Sequence, residues 1–345
     1  MKEVTILEWN DEKAHQIVQK HKKRFSWRLT LKVVRVIAGI LFIYFIYTFI
    51  LFSVSNGTNI IRKTEFYQKL AIDWTYPGLS ADLSSGTTSE ITPLLTQKIE
   101  IPLLSKIGSE DYVVAHLNLK KRLITDLSHV EIEKSYPYSS FDSGFNFNLP
   151  YAPDTNDKLK GDDSSDVWET LEKVHEGNVA NLAFSTDEYY SPEDIIELIG
   201  HYDLHIVWMP LYMGEIKEFS SSGTGSGNET MSLLNQWGLA GARVMDKDFQ
   251  SGSRTTGLEL TSVEDSQNVM LDNMQMMLEN DKNLAEQLLG TEHLQERYDY
   301  LKKEGFQAFG AIVTGPVKEL LKLKEVDEIH SAQLGEIKHW NWVEE

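Results

Sequence analysis

Residues 178–214 read NVANLAFSTDEYYSPEDIIELIGHYDLHIVWMPLYMG. The apolar run NVANLAFST predicts a strand, SPEDIIELIGHY a helix, and DLHIVWMPLYMG a second strand. Ser191 suits the N-cap, Pro192 the first helical position, and Glu193 and Asp194 the first turn, where acidic groups meet the positive end of the helix. Ile195, Ile199 and Tyr202 then recur on one face. The same grammar returns downstream as FQAFGAIVTG (306–315), PVKELLKLKEV (316–326, opening with Pro316) and IHSAQLGEIKHWNW (329–342). Two such units of similar length predict a duplicated βαβ core, with a mixed or parallel sheet and helices packed on it.

Between the units lie a Ser/Gly loop, Ser220 to Asn228, and a long helical stretch, Asp265 to Glu304, interrupted by Gly290. Upstream, residues 136–166 are rich in Asp, Ser, Pro and Gly and read as a boundary loop. From about Asp73 to Leu149, Ser, Gly, Thr and Pro breaks separate short β-like runs. Of these, QKIEIPLL (97–104) and DYVVAHLNLK (111–120) alternate as half-buried strands do. Residues 55–75 read as a connecting stretch, helical from Thr64 to Ala71. The fold class is therefore α+β, with an accessory β-rich region before the duplicated core.

The N-terminal part obeys a different solvent. Residues 36–54, VIAGILFIYFIYTFILFSV, are 19 in number and carry no charge. As a helix they span roughly 28 Å, close to the hydrocarbon thickness of a bilayer. Val33 and Val34 extend the run, and Lys32 and Arg35 can snorkel to the head groups. A basic cluster from Lys20 to Arg35 precedes it, so the positive-inside rule puts the N-terminus in the cytoplasm and everything after residue 54 outside. Ser53-Val54-Ser55 is a weak match to a signal-peptide cleavage site. The apolar run is longer than the roughly 7–15 residues of a signal peptide, and a single-pass anchor is the better reading.

Charge divides along the same line. The chain has 33 basic and 52 acidic side chains and a net charge of −19. Residues 1–35 hold nine basic and four acidic ones, a balance of +5, which leaves −24 for the remainder. An outer part this acidic excludes a nucleic-acid surface there. The chain has no cysteine, which excludes disulfides, thiolate nucleophiles and zinc ribbons. A cysteine-free outer domain suits a Gram-positive surface. Within the leader, Ala14, Val18, His21 and Phe25 fall at helical spacing, with Ile17 and Trp27 near that face. About 34 residues cannot bury a core alone. The leader is thus a helix that folds on a partner or a basic stalk on anionic lipid. Trp9 and the acidic group Glu8, Asp11 and Glu12 exceed what a lipid stalk requires.

The sequence offers no catalytic constellation, no metal-ligand set and no cofactor motif. His201 and His205 have H-x-x-x-H spacing, but HYDLH straddles a helix end and a strand start, and the neighbour is Tyr202 rather than Glu. GDDSSD at 161–166 lacks the twelve-residue loop pattern of a calcium site. GTGSG at 223–227 lacks the Lys and spacing of a P-loop. Ser185, Thr186, Thr314 and Gly315 stand at strand carboxyl ends, where α/β proteins place ligands, yet no G-x-S-x-G surrounds a serine. Met270, Met274 and Met277 read as core, and Trp208, Trp237, Trp340 and Trp342 as buried aromatics.

The stretches ANLAFSTDEYYSPEDIIELIGHYDLHIVWMPLYMGE and FQAFGAIVTGPVKELLKLKEVDEIHSAQLGEIKHWNW resemble the C-terminal domain of Gram-positive sigma factor regulators. The leader, span and following WTYPG region resemble that family's N-terminal module. What the resemblance implies is a transmembrane anti-sigma factor, similar to negative regulators of sigma-M-type extracytoplasmic-function sigma factors, and not an enzyme. It implies a cytoplasmic leader (1–35) that sequesters the sigma factor, an anchor (36–54), a β-rich extracellular region (55–150) and an extracellular regulator domain (167–345) that responds to an envelope signal. The zinc type of anti-sigma domain is excluded, because His-x-x-x-Cys-x-x-Cys is missing. The family hands over no named binding residues, so the expected contact face is Trp9, Ala14, Ile17, Val18, His21 and Phe25. A leader this short gives a small interface, which makes room for a second small membrane protein besides the sigma factor and the lipid. No direct nucleic-acid contact is expected. The alternative is a surface-anchored ligand-binding or enzymatic domain whose leader is only a topogenic stalk.

Overall fold

The computed structural model describes residues 11–57, 59–81, 86–123, 128–134, 144–220, 224–226, 230–255 and 257–343. Their side chains are described except at 11–13, 24–26, 54–57 and 224–226. Two compact units divide the chain, Met1–Thr58 and Asn59–Glu345.

The described residues of the first unit form one helix, α1 (Asp11–Gly57), 47 residues long. Neither proline nor a charge cluster interrupts it, so leader and apolar run form a single rod. Among the described residues it is the one helix long and apolar enough to cross a membrane. Ile40, Phe42, Ile43, Phe45 and Phe49 are all exposed on it. Thr48 Oγ1 donates back to the carbonyls of Tyr44 (3.1 Å) and Phe45 (2.9 Å), satisfying the hydroxyl within the apolar run.

The second unit begins with α2 (Ile60–Thr75), longer than the connecting helix expected from the sequence. Phe66, Tyr67, Leu70, Ile72 and Trp74 are buried in the main core, so this segment is an integral element rather than a linker. A five-stranded antiparallel sheet follows: β1 (Leu79–Ala81), β2 (Thr88–Ile91), β3 (Thr96–Ile107), β4 (Glu110–Arg122) and β5 (Ser128–Lys134). β1 and β2 share one edge of β3, and the order continues through β4 to β5.

The remaining elements are α3 (Ser165–Lys173), β6 (Asn178–Tyr190), α4 (Pro192–Ile199) and β7 (His205–Tyr212). The short strands β8 (Thr224–Ser226), β9 (Met231–Leu233), β10 (Trp237–Ala240), β11 (Arg243–Met245) and β12 (Gly252–Arg254) come next. Then follow α5 (Val263–Leu289), α6 (Leu294–Glu304), β13 (Gln307–Pro316), α7 (Val317–Lys322) and β14 (Ile329–His339). The central sheet has the order β10-β7-β13-β6-β14, and every pairing in it is antiparallel. This corrects the expected mixed or parallel sheet. β6 and β7 share a direction, but β13 lies between them; β13 and β14 share a direction, but β6 lies between those. Each crossover helix steps over one strand position, which the other β-α-β stretch fills. The interleaving is that of a ferredoxin-like split βαβ pair.

Alternation gives the sheet two buried faces. Leu182 and Phe184, Met209 and Leu211, and Ala311 and Val313 join the main core with α4, α5 and α7. Ala183, Trp208, Tyr212, Phe309 and Ile312 face a second cluster completed by Phe147 and Leu149. A bulge in β13 between Ala308 and Gly310 re-phases this alternation. Glycine is required there, since a Cβ at Gly310 would lie 2.2 Å from the Phe184 carbonyl oxygen.

The expected helix caps hold. Ser191 Oγ accepts from Asp194 N (3.1 Å) while Asp194 Oδ2 accepts from Ser191 N (3.3 Å), a capping box. α5 carries a kink at Asp281 (φ −168°) that its sequence did not announce, and Asp281 Oδ1 caps the restart by accepting from Leu284 N. Gly290, in the left-handed region, ends α5 as anticipated.

One buried ion pair ties these layers together. Asp73, near the end of α2, accepts from Arg243 Nε (2.6 Å) and Nη2 (3.2 Å), and both side chains are withdrawn from water. Arg243 Nη2 also donates to the Ala81 carbonyl (2.5 Å), and Asn273 of α5 donates to the Arg243 carbonyl (2.9 Å). Trp208 Nε1 donates to the Asp73 carbonyl (3.0 Å). Removing one partner strands a buried charge, so Asp73→Asn is expected to cost about 3–5 kcal/mol in chemical denaturation of the full chain. The double variant D73L/R243M, which removes both charges, should recover most of that loss. A double variant as unstable as D73N would show that the pair does not organise the packing.

Candidate functional site

Two places can meet a partner or ligand. The first is the leader portion of α1. At 3.6 residues per turn, Ala14, Val18, His21 and Phe25 fall within an arc of about 60°. Ile17 and Val18 are more than half exposed, His21 is exposed, and Ala14 is half-buried. The structure thus brings Ala14, Ile17, Val18 and His21 onto one helix, with the last three exposed. Phe25 belongs to the same helix, but its side chain lies outside the described residues, as does Trp9 altogether. Apolar side chains on an otherwise charged helix carry a free-energy cost in water that a partner would remove.

The second place is a cavity of about 520 Å³ in the Asn59–Glu345 unit. Its floor is a second buried ion pair, Glu215 just after β7 with Arg297 of α6. Glu215 Oε2 also accepts from Met213 N (2.8 Å), and the Glu215 carbonyl accepts from Tyr212 Oη (2.7 Å). The guanidinium lies between two rings, 4.9 Å from the centre of Phe219 and 5.1 Å from that of Trp237. The His293 imidazole stacks on Phe219, centroids 4.8 Å apart. The walls are polar: Asn235 from the β9–β10 turn, Asn283 and Gln287 from α5, and Thr291 from the α5–α6 turn. Sequence reasoning missed this site. Glu215 and Arg297 are 82 residues apart, and no local spacing links them.

Other residues singled out in the sequence are engaged in packing. His205 packs against Trp342 with the rings tilted (centroids 4.5 Å apart, 39°), and His201 sits in an exposed turn, so the structure does not bring the two together as ligands. In the acidic run, Asp162 accepts from Asn148 Nδ2 (2.7 Å) and Asp163 from Ser165 N (3.0 Å). GTGSG at 223–227 lies partly outside the described residues; its middle three form β8. Met270, Met274 and Met277 are core, as are Trp208, Trp237 and Trp342, whereas Trp340 is about half exposed and corrects the buried reading. Its place at the end of β14 explains this: beyond His339 the chain leaves the sheet. A Ser–His neighbour pair appears at His330 and Ser331. Ser331 Oγ accepts from Asp162 N (2.7 Å) and Asn148 Nδ2 (3.0 Å), leaving its proton for His330 Nδ1 (2.9 Å). Burial holds His330 below the usual imidazole range. Ser331 is 2% exposed, out of a substrate's reach, and the pair fastens residues 148–162 to β14.

Comparison with known proteins now bears on both places. The Sigma factor regulator N-terminal family matches residues 16–112, and the Sigma factor regulator C-terminal family matches residues 171–336. The chain is 22% identical over 282 residues to the Bacillus subtilis (strain 168) protein named "Probable anti-sigma-M factor YhdL", an alignment covering 81% of this chain and 70% of that one. No solved structure gives a significant match. The C-terminal match spans the strands that carry Ser185, Thr186, Thr314 and Gly315. Ser185 Oγ accepts from Asn148 N (2.9 Å), Thr186 Oγ1 donates to the Glu188 carbonyl (2.8 Å), and Gly315 has Leu204 packed against it. Thr314 Oγ1 donates to the Ala180 carbonyl (2.9 Å) and accepts from Gly108 N (2.7 Å), joining the two sheets. Thr314→Val keeps the shape and strands a buried N–H, so it is expected to cost about 1–3 kcal/mol in denaturant unfolding. An unchanged midpoint would release Thr314 for a ligand role.

Proposed function

The chain belongs to the sigma factor regulator family, and on that premise we propose that it is a membrane-anchored anti-sigma factor. In this reading the leader within residues 1–35 holds an extracytoplasmic-function sigma factor at the cytoplasmic face. The run 36–54 anchors the protein, and the part after it lies outside and responds to an envelope signal. The interleaved β-α-β stretches are read as a duplicated core that carries the sensing surface. The observation that carries the proposal is the exposed stripe on α1, continuous with the apolar run and taken in, from residue 16 onward, by the N-terminal family match. The +5 balance of the leader against −24 beyond it supports the orientation. The cluster from Lys20 to Arg35 gives anionic lipid a surface at the helix's point of entry, and a second small membrane protein can widen a contact area that a single leader helix leaves small.

Deleting residues 1–30 from the chromosomal copy is expected to derepress the partner sigma factor's regulon while the truncated protein stays in the membrane fraction. The paired substitution V18D/H21D should reduce co-purification of the sigma factor with the full chain at least tenfold, about 1.4 kcal/mol. Membrane localisation and unfolding of the outer unit should remain as in the parent. A regulon indifferent to the deletion would end the proposal and leave the surface-anchored domain with a topogenic stalk as the better account.

A further inference from the structure

The cavity over the Glu215–Arg297 pair has the size of a ligand site, which runs to roughly 300–1,000 Å³. Its electrostatics narrow the ligand class. The guanidinium at the floor is neutralised by Glu215 and enclosed by the Phe219 and Trp237 rings, so it offers no free positive charge to an anion. Glu286 and Glu292 at the walls would repel one. For a cation, the two lining carboxylates with partners are already held: Glu215 by Arg297, and Glu286 by Leu294 N (3.1 Å) and Lys282 Nζ (3.6 Å). The Phe219 ring is covered by Arg297 on one approach and by His293 on another. What remains is a wall of amides and a hydroxyl, groups that each donate and accept and so match alternating hydroxyls.

Three further observations point to a built site. Among the described residues the exposed side-chain amides of Asn235 and Asn283, both lining the cavity, make no hydrogen bond to protein. Arg297 Nε is buried without a partner in a side chain that is itself almost wholly buried. His293 is held in the left-handed region (φ 69°), a conformation disfavoured for a non-glycine residue, with Glu296 Oε1 3.2 Å from its Nδ1. That backbone places the imidazole flat on Phe219 at the cavity wall, where its other face can pack against the C–H face of a sugar ring.

We propose that this cavity binds an uncharged saccharide, with Asn235, Asn283 and Gln287 reading its hydroxyls and His293 packing against its ring. The assignment stands on the Asn59–Glu345 unit alone and goes beyond the sigma-factor reading, so neither depends on the other. Behind the cavity, the Arg297 guanidinium lies 5.1 Å from the Trp237 ring, which stacks on Trp74 of α2 (5.8 Å, 28°).

The full chain in lipid nanodiscs, titrated with neutral oligosaccharides of glucose, N-acetylglucosamine and mannose and followed by saturation-transfer NMR, tests the assignment. Spermine and inorganic phosphate serve as cationic and anionic probes. At least one saccharide should bind, and N235A/N283A, two exposed substitutions, should weaken it at least tenfold with an unchanged unfolding midpoint. H293G should weaken it as well. Binding of spermine or phosphate with no saccharide bound, saccharide binding indifferent to N235A/N283A, or no binding by any saccharide would each overturn the proposal. None of these results alters what deletion of the leader does to the regulon.

Discussion

A carboxylate and a guanidinium withdrawn from water together, Asp73 with Arg243, set where the rest of the second unit can lie. Neither group could stand alone in that interior, since an isolated buried charge costs several kcal/mol. Their mutual hydrogen bonds, and those to Ala81 and Asn273, oblige α2, β1, β11 and α5 to meet at one point. Trp208 of the central sheet reaches the same point through the Asp73 carbonyl. Hydrophobic burial supplies most of the driving force for such a core, but it is non-directional. The ion pair and its satellites supply direction, fixing which face of α2 turns inward.

The second buried pair, Glu215 with Arg297, repeats this logic for another purpose. It also joins distant segments, yet it lines a cavity instead of a packed junction. The two pairs are linked by aromatic contact: Trp74 neighbours Asp73 in sequence and stacks on Trp237, whose ring faces Arg297. A change in the way Arg297 is held therefore meets, within two ring contacts, the helix anchored by Asp73. This is a contiguous physical network between the cavity and α2; energetic coupling along it is a separate property, measured by double-mutant cycles.

What was legible in the sequence follows from the range of the interactions involved. The Ser191–Asp194 cap, the Gly290 helix stop, the apolar run and the strands 97–104 and 111–120 are local patterns, and each appears where periodicity and capping place it. The order of the central sheet was not legible. A β-α-β pattern specifies that two strands share a direction, and it is silent on whether a third strand lies between them. Here the third strand comes from more than 90 residues away, and the expected parallel contacts give way to antiparallel ones. Neither buried ion pair was legible, because Asp73 with Arg243 and Glu215 with Arg297 are pairings between distant segments with ordinary local surroundings. Trp340 shows the opposite error: an aromatic beside a strand was assigned to the interior, whereas its strand had already ended.

The leader helix and the apolar run pose a mechanical question with a structural answer inside the first unit. Between Ala14 and Phe52 there is no proline, and the single glycine, Gly39, leaves α1 unbroken. The same helix that holds the apolar run thus sets where Ala14, Val18 and His21 lie around its axis. The rod ends at Gly57, and Asn59, in the left-handed region (φ 51°), cannot continue it; α2 starts afresh at Ile60. One unbroken helix therefore carries both the apolar run and the exposed stripe, so the angular position of Ala14, Val18 and His21 about the helix axis is fixed relative to that of the apolar side chains.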